Sequence, residues 1–161
     1  MRAKTSPKST KGSYAPTRRA AGPPVEVFNP RQWHTSAQIA ALIRADLKQA
    51  ITDGRLPGRY KYSVTSDTYS GGQSVTIDVR APDGAGTRPL DDDEVLMPAT
   101  PEDQAVYGVR WQMRPELRQL GATLRDICAP YRYIDSDPDT DYYDTNCHIS
   151  IQAGPRTVAV V

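Results

Sequence analysis

The sequence predicts an α+β fold in which two αββ units form an antiparallel sheet with helices packed on one face. Two blocks in which apolar and polar residues alternate, at 59–79 and 131–152, have the two-residue period of half-buried strands. A stretch with the apolar periodicity of an amphipathic helix precedes each block. Because short turns join antiparallel neighbours, each unit is expected to contribute one hairpin to a shared sheet.

Length and charge divide the chain into a tail and one domain. At 161 residues the chain has the size of a single ordinary domain. We expect a disordered tail at 1–24, an α+β domain at 25–153, and an edge strand or a short tail at 154–161. No apolar run reaches the roughly 18 residues of a membrane span, and no signal-peptide core follows the N-terminal basic residues, which predicts a cytoplasmic protein.

The first helix is predicted to begin at a capping box. Thr35 stands at the cap, where its hydroxyl accepts a free backbone N–H, and Gln38 reaches back to the cap residue. Gly54 and Pro57 mark the end of the helix. Four apolar residues recur at every fourth position after the cap: Ile39, Ile43, Leu47 and Ile51. This stripe predicts a helix that packs against the sheet.

The first hairpin follows directly. Tyr60, Tyr62 and Val64 alternate with polar residues, and the same alternation returns in the second strand beyond a turn at Gly71. The tyrosines are therefore expected to lie beneath the helices, and the opposite face of the sheet is expected to be open and polar. Its predicted members are Lys61, Ser63, Thr65, Thr76, Asp78, Arg80, Asn146, His148 and Ser150.

The middle of the chain is expected to be an acidic, Pro- and Gly-rich connecting loop at 82–100, followed by two helices. Thr100 and Pro101 form an N-cap and first helical position, and Pro115 should break this second helix near Arg114. A last helix is predicted from its apolar stripe of Leu117, Leu120, Leu124 and Ile127. It is expected to dock on the same face of the sheet as the first helix.

The second hairpin is predicted after this helix. Tyr131 and Tyr133 are expected to start a third strand, and Cys147, Ile149 and Ile151 to line one side of a fourth. The hairpin would close across an aspartate-rich turn at 135–144.

The N-terminal tail is wholly cationic up to the first acidic residue, Glu26. Without apolar periodicity it is predicted to be disordered, yet its charges would neutralise phosphates of DNA or RNA. A solubilising leader without a partner is an equally supported interpretation. The candidate nucleic-acid contacts in the tail and in the first hairpin are Lys4, Lys8, Lys11, Arg18, Arg19, Arg59, Lys61 and Arg80.

Both predicted hairpins contain short segments whose sequence resembles that of a known domain family. In the first, Tyr62-Ser63-Val64 is followed by Tyr69-Ser70-Gly71-Gly72-Gln73-Ser74-Val75 and Asp78-Val79; in the second, Asp137 is followed by Asp141-Tyr142-Tyr143-Asp144-Thr145-Asn146. These segments resemble, in the same order, the hairpins of a large polyvalent protein-associated domain family. The resemblance covers about 36–152. The chain departs from the family pattern at Cys147-His148, at Ala81-Pro82 and in the enlarged linker before Thr100.

The resemblance implies an accessory module of bacteriophages or other mobile elements, without defined catalytic chemistry. Members of the family are often modules of very large proteins thought to travel with incoming DNA. The expected partner is nucleic acid or a nucleoprotein complex, or else a host or phage protein. The residues singled out for partner contact are Tyr69, Asp137, Asp141, Tyr142, Tyr143, Asp144, Asn146 and His148.

The aspartate-rich turn at 135–144 is also the candidate for cation binding. Its alternating aspartates copy the start of a calcium loop, but Thr140 stands in place of the turn glycine and Asn146 in place of the closing glutamate. A solvated turn whose side chains cap their own backbone is the favoured interpretation. A metal-dependent nuclease that uses these aspartates with His148 is a minor alternative.

The sequence therefore predicts a protein without enzyme activity, metal or cofactor that associates with nucleic acid or a nucleoprotein complex. No phosphate-binding glycine loop or common hydrolase motif occurs in the chain. The alternative is a protein-interaction module that inhibits or modulates a host protein through its acidic hairpin. The oligomeric state is left open.

Overall fold

A computed structural model describes residue 29 and residues 34–132, 134–137, 142–145 and 147–161, with backbone only at 134–137 and 142–145. Within these ranges the helices are α1 (Ser36–Thr52), α2 (Asp92–Val95), α3 (Pro101–Tyr107) and α4 (Pro115–Cys128), the last continued by a 3-10 turn at Ala129–Tyr131. The strands are β1 (Lys61–Tyr69), β2 (Gly72–Asp83), β3 (Gly86–Pro89), β4 (Leu96–Pro98), β5 (Trp111–Met113), β6 (Ile134–Asp137), β7 (Tyr142–Thr145), β8 (His148–Ala153) and β9 (Arg156–Val160).

The main sheet has the strand order β1-β2-β8-β9, and β3 pairs with the far end of β2. The predicted α+β class, with helices on one face, is confirmed. The sheet is mixed, however, because β2 and β8 run parallel while β1–β2 and β8–β9 are antiparallel. The expectation of a wholly antiparallel sheet was wrong in this respect. Parallel neighbours need a long crossover, which the 64 residues between Asp83 and His148, including α2, α3 and α4, provide.

The second αββ unit is α4, β8 and β9, and it does not close across 135–144. Tyr131, expected to start a third strand, lies in the 3-10 turn and is 2% exposed. Pro130, in the first turn of this 3-10 segment, carries no N–H for a strand ladder. β6 and β7 pair with each other as a separate ribbon, and β8 takes its antiparallel partner from the C-terminal β9.

The segment predicted to be a connecting loop at 82–100 contains β3, α2 and β4. Arg88 holds Glu94 through two hydrogen bonds of 2.7 and 2.9 Å, and the Glu94 carboxylate also accepts the N–H of Asp91. These side-chain contacts organise a segment that has no apolar periodicity. The second helix is shorter than predicted, because Gly108 ends α3 with a φ of 65° and Met113 then pairs with Leu96 between β5 and β4.

The core lies between the sheet and the two long helices. The apolar residues of α4 that were predicted to face the sheet are all buried, whereas Ile51 at the end of the α1 stripe is 37% exposed. Gly121 lets α4 approach β9 closely, since a Cβ at this position would lie 3.1 Å from the carbonyl oxygen of Val158. Fully buried strand residues complete the core: Val75, Ile77, Val79, Ile149 and Ile151.

Candidate partner-binding face of the sheet

The strand registers bring one set of polar side chains onto a single face of the main sheet. Residues paired across neighbouring strands point to the same face, and the faces alternate along each strand. The pairs on the helix-free face are Lys61–Arg80, Ser63–Asp78, Thr65–Thr76, Ser74–His148, Thr76–Ser150 and Asp78–Gln152. We call this surface the polar face. Eight of its nine predicted members lie on it, and Asn146 lies outside the described residues.

The polar face is rich in hydroxyl groups. The hydroxyl oxygens of Thr76 and Ser150, on neighbouring parallel strands, lie 3.3 Å apart within hydrogen-bonding distance. Lys61, Thr65 and His148 are exposed, whereas Ser63 and Ser150 are half-buried by their neighbours on the same face. Such a surface offers hydrogen-bond donors and acceptors to a flat partner.

Two cations stand directly opposite each other on this face. Lys61 pairs with Arg80 across β1 and β2, an arrangement that normally destabilises a sheet by like-charge repulsion. The Arg80 guanidinium donates to Asp78 over 2.8 Å and to the Thr87 hydroxyl over 3.0 Å. Lys61 forms no ion pair within the described part of the chain. Asp78 thus offsets the charge of Arg80, and the Lys61 ammonium is the charge on this face to which an anion would be attracted.

The entrance to β1 adds a further cation and two aromatic rings. The Arg59 guanidinium lies over the Tyr60 ring, 4.9 Å from its centroid. The Tyr62 hydroxyl donates to the Pro57 carbonyl over 3.0 Å, and burial raises the pKa of Tyr62 to about 12. Both tyrosines are half-buried and pack against the core, as predicted. Their rings therefore form part of the domain edge, and the charged groups around them are the accessible feature.

The structure brings some of the predicted site residues together and separates others. Lys61 and Arg80 are adjacent, and Arg59 lies two residues before Lys61. Tyr69 lies at the other end of β1, where it is 46% exposed, and His148 begins β8 beside Ser74. The nucleic-acid candidates of the tail and the partner-contact candidates Asp141 and Asn146 lie outside the described residues. The backbone of the remaining candidates is in the β6–β7 ribbon, which carries Asp137, Tyr142, Tyr143 and Asp144.

Sequence reasoning missed a groove beside the polar face. Side chains of α1 and of the β1 edge enclose about 300 Å³ between them. We call this the α1–β1 groove, and its principal lining residues are Arg44, Leu47, Lys48, Ile51, Tyr62 and Val64. The four-residue spacing of Arg44 and Lys48 indicates that both lie on one side of a helix. Only the packing of α1 beside β1 brings them near Lys61, so the groove could not be predicted from this spacing.

The described residues contain no group of three or more His, Cys, Asp or Glu side chains arranged to hold a metal ion. The aspartate-rich turn falls largely outside those residues, so the cation-site hypothesis stays a prediction. Cys128 and Cys147 are buried free thiols, and burial raises their pKa values to about 12 and about 11. They are therefore protonated at neutral pH and unsuited to nucleophilic chemistry.

None of the described helices is long and apolar enough to cross a membrane. Comparisons with protein-family models, with curated proteins and with solved structures each returned no match. The resemblance to the large polyvalent protein-associated domain family accordingly stays a prediction that rests on the two hairpin segments.

Proposed function

We propose that this chain is a non-enzymatic accessory domain of a phage or other mobile element that associates with nucleic acid or a nucleoprotein complex. The observation that carries the proposal is the Lys61–Arg80 pair, two cations opposed on an open, helix-free sheet face. Phosphate oxygens beside this pair would give Lys61 the counter-charge that it lacks among the described residues, whereas Arg80 is already paired with Asp78. The neighbouring hydroxyls of Ser63, Thr65 and Thr76 would donate hydrogen bonds to the same nucleic-acid backbone.

The residues around the Lys61–Arg80 pair support binding to the phosphate backbone of a nucleic acid. Arg59 extends the positive charge toward the start of β1, and the basic residues of 1–24 would add contacts that carry no sequence information. The family-like hairpins support a role in the cytoplasm of a bacterial host, where incoming DNA is handled. We expect weak, salt-dependent and sequence-independent affinity, with a Kd of about 10⁻⁴ to 10⁻⁶ M at physiological salt.

The test is a salt titration of binding to a fluorescein-labelled 20-nucleotide single strand and to the matching duplex, read by fluorescence anisotropy. Lys61→Gln should weaken binding and lower the slope of log K against log salt by about 1, the value for one lost phosphate contact. Arg125→Gln is the matched control, since it removes an exposed arginine from α4, which packs on the opposite face of the sheet. Deletion of 1–24 should lower the slope further.

The proposal fails if neither oligonucleotide binds at low salt. It also fails if Lys61→Gln and Arg125→Gln have equal effects, because the attraction would then come from overall charge and not from the polar face.

A second candidate function is a protein-interaction module that acts on a host protein through the acidic hairpin. It is favoured by the β6–β7 ribbon, whose backbone pairs only within itself among the described residues and so stands apart from the main sheet. Neutralising Asp137, Asp139 and Asp141 to asparagine distinguishes the two functions. Nucleic-acid binding should strengthen when this negative charge is removed, whereas capture of a host protein through the hairpin should be lost.

A further inference from the structure

We propose that the α1–β1 groove binds an acidic, extended peptide segment of a partner protein by adding it as a strand to the edge of β1. This site borders the polar face used by the nucleic-acid function proposed above and shares Lys61 with it, but its other principal lining residues belong to α1 and to the opposite side of β1. Three features of the groove carry the inference: an open strand edge, an apolar floor and a cationic rim.

The first feature is the edge itself. β1 is nine residues long and ends the strand order of the main sheet in the part of the chain that the structure describes. In an antiparallel pair, alternate residues direct both backbone groups away from the partner strand. The Arg44 guanidinium donates to the Val64 carbonyl over 2.6 Å, which identifies the even-numbered residues of β1 as the outward set. Tyr62 and Ser66 therefore also present their N–H and C=O groups to an incoming strand.

The Arg44 contact is a side-chain cap on a strand edge. Long, open edges invite pairing with other chains, and proteins usually shorten, charge or cover them. Here a long arginine side chain occupies one outward carbonyl, and Ser66 next to it is exposed. Because an arginine side chain can rotate away from a carbonyl without moving the backbone, the cap is compatible with replacement by a peptide N–H.

The second feature is the floor. Leu47 and Val64 are buried at the base of the groove, and Tyr62 and the partly exposed Ile51 form its sides. Side chains of an added strand alternate between the floor and the solvent. One side of the peptide must therefore be apolar to cover these residues.

The third feature is the charge of the rim. Arg44, Lys48 and Lys61 surround the opening. The acidic residue of α1 and the one at its C-cap are engaged elsewhere, since Asp46 accepts from Tyr131 and Asp53 accepts from Gln49 over 2.7 Å. The rim is thus positively charged, and a complementary peptide must be acidic. The peptide side chains that alternate with the apolar ones would lie on the same side of the sheet as Lys61. Alternating apolar and acidic residues satisfy both requirements at once.

A nucleic-acid strand shares the negative charge but lacks the peptide groups. It has no regularly spaced N–H donors for the outward carbonyls of Val64 and Ser66, and the groove floor is apolar. The edge geometry therefore favours a peptide over a nucleic acid at this position.

The probe for the test is a fluorescein-labelled nine-residue peptide of alternating valine and glutamate, with binding read by fluorescence anisotropy on the full chain. Lys48→Glu should weaken binding at least fivefold, because it reverses a rim charge that makes no described ion pair. Ser66→Pro should weaken binding at least tenfold, because it removes an outward N–H while leaving the β1–β2 ladder intact. Ser66→Ala, which keeps the N–H, is the matched control and should bind as the parent protein does.

If Ser66→Pro fails to fold, N-methylated peptides make the same test on the unaltered protein. Methyl groups on the amides of one alternate set should abolish binding, whereas methyl groups on the other set should be tolerated, because only one edge of the added strand faces β1. Equal loss with both sets, or equal binding by the Ser66→Pro and Ser66→Ala variants, would overturn strand addition. Displacement of the peptide by a thymidine oligonucleotide at equal concentration that persists in the Lys61→Gln variant would assign the groove to nucleic acid instead.

Discussion

Tyr131 donates its phenolic hydrogen to the carboxylate of Asp46, which ties the 3-10 turn after α4 to the middle of α1. The two residues are 85 positions apart in the chain. Burial raises the pKa of both groups, and the Tyr131 hydrogen bond and the nearby Arg55 charge partly offset this effect on Asp46. The Tyr131–Asp46 hydrogen bond is thus a polar contact at one side of a largely apolar core.

Removing the hydroxyl of Tyr131 should leave the Asp46 carboxylate partly buried without this donor. We expect Tyr131→Phe to lower the free energy of unfolding by about 1–3 kcal/mol, measured by urea denaturation followed by circular dichroism. Tyr107→Phe is the control, because Tyr107 is 73% exposed and its hydroxyl should contribute less than about 0.5 kcal/mol. Equal effects of the two substitutions would show that the Asp46 contact contributes nothing to stability.

The pH dependence of stability should carry the signature of Asp46. Its pKa in the folded protein is raised from 3.8, so the folded state favours the protonated carboxyl. The resulting stability is fully present below the unfolded value of 3.8 and is lost as pH rises through the folded pKa. Asp46→Asn should remove this part of the profile, so the stability of the parent protein minus that of the variant should fall as pH rises above 3.8. A difference that is constant or rising across this window would contradict the assignment.

Glu94 should produce the opposite dependence. Hydrogen bonds from Arg88 and from the Asp91 backbone hold its pKa near 2, below the usual 4.5. Its contribution is therefore present above pH 4.5 and is lost as pH falls toward 2. Glu94→Gln should flatten the acid limb of the stability profile in this interval, as measured by thermal unfolding at a series of pH values. An acid limb identical to that of the parent protein would mean that the Arg88–Glu94 pair does not stabilise β3 and α2.

The turn between β8 and β9 should tolerate no side chain. Gly154 has a φ of 57°, and a Cβ placed there would lie 2.0 Å from the carbonyl oxygen of Leu90. We expect Gly154→Ala to cost about 3 kcal/mol through backbone strain and displacement of this contact. Gly54→Ala is a matched control, since Gly54 also has positive φ but no atom lies within 4 Å of its Cβ position. It should cost about 1 kcal/mol, and denaturant titration of both variants gives the comparison.

The local sequence pattern was sufficient to predict α1, α4 and the first hairpin. The Thr35–Gln38 capping box forms as predicted, with the Gln38 N–H donating to the Thr35 hydroxyl over 3.2 Å. The alternation in β1 and β2 likewise placed Lys61 and Arg80 on the open face. Each of these features depends on residues that are close in the chain, where periodicity and capping chemistry decide the outcome.

The pairing of distant strands was not predictable in the same way. β8 has the same alternation whether its neighbour is parallel or antiparallel, so only the path of the intervening chain places it parallel to β2. The segment 82–100 lacks apolar periodicity, and its order comes from contacts such as Arg88–Glu94. The Arg44 and Lys48 side chains lie near Lys61 only because α1 packs against the β1 edge.

By itself the sequence determined the α+β class, the two long amphipathic helices and the polar face of the first hairpin. Those features follow from the periods of 3.6 and 2 residues, which burial of apolar surface imposes on any helix or strand. The tertiary structure alone decided that the sheet is mixed, that β9 completes the second αββ unit and that a cationic groove borders β1. These depend on which surfaces meet across long chain separations, and a pattern of single residues does not encode that choice directly.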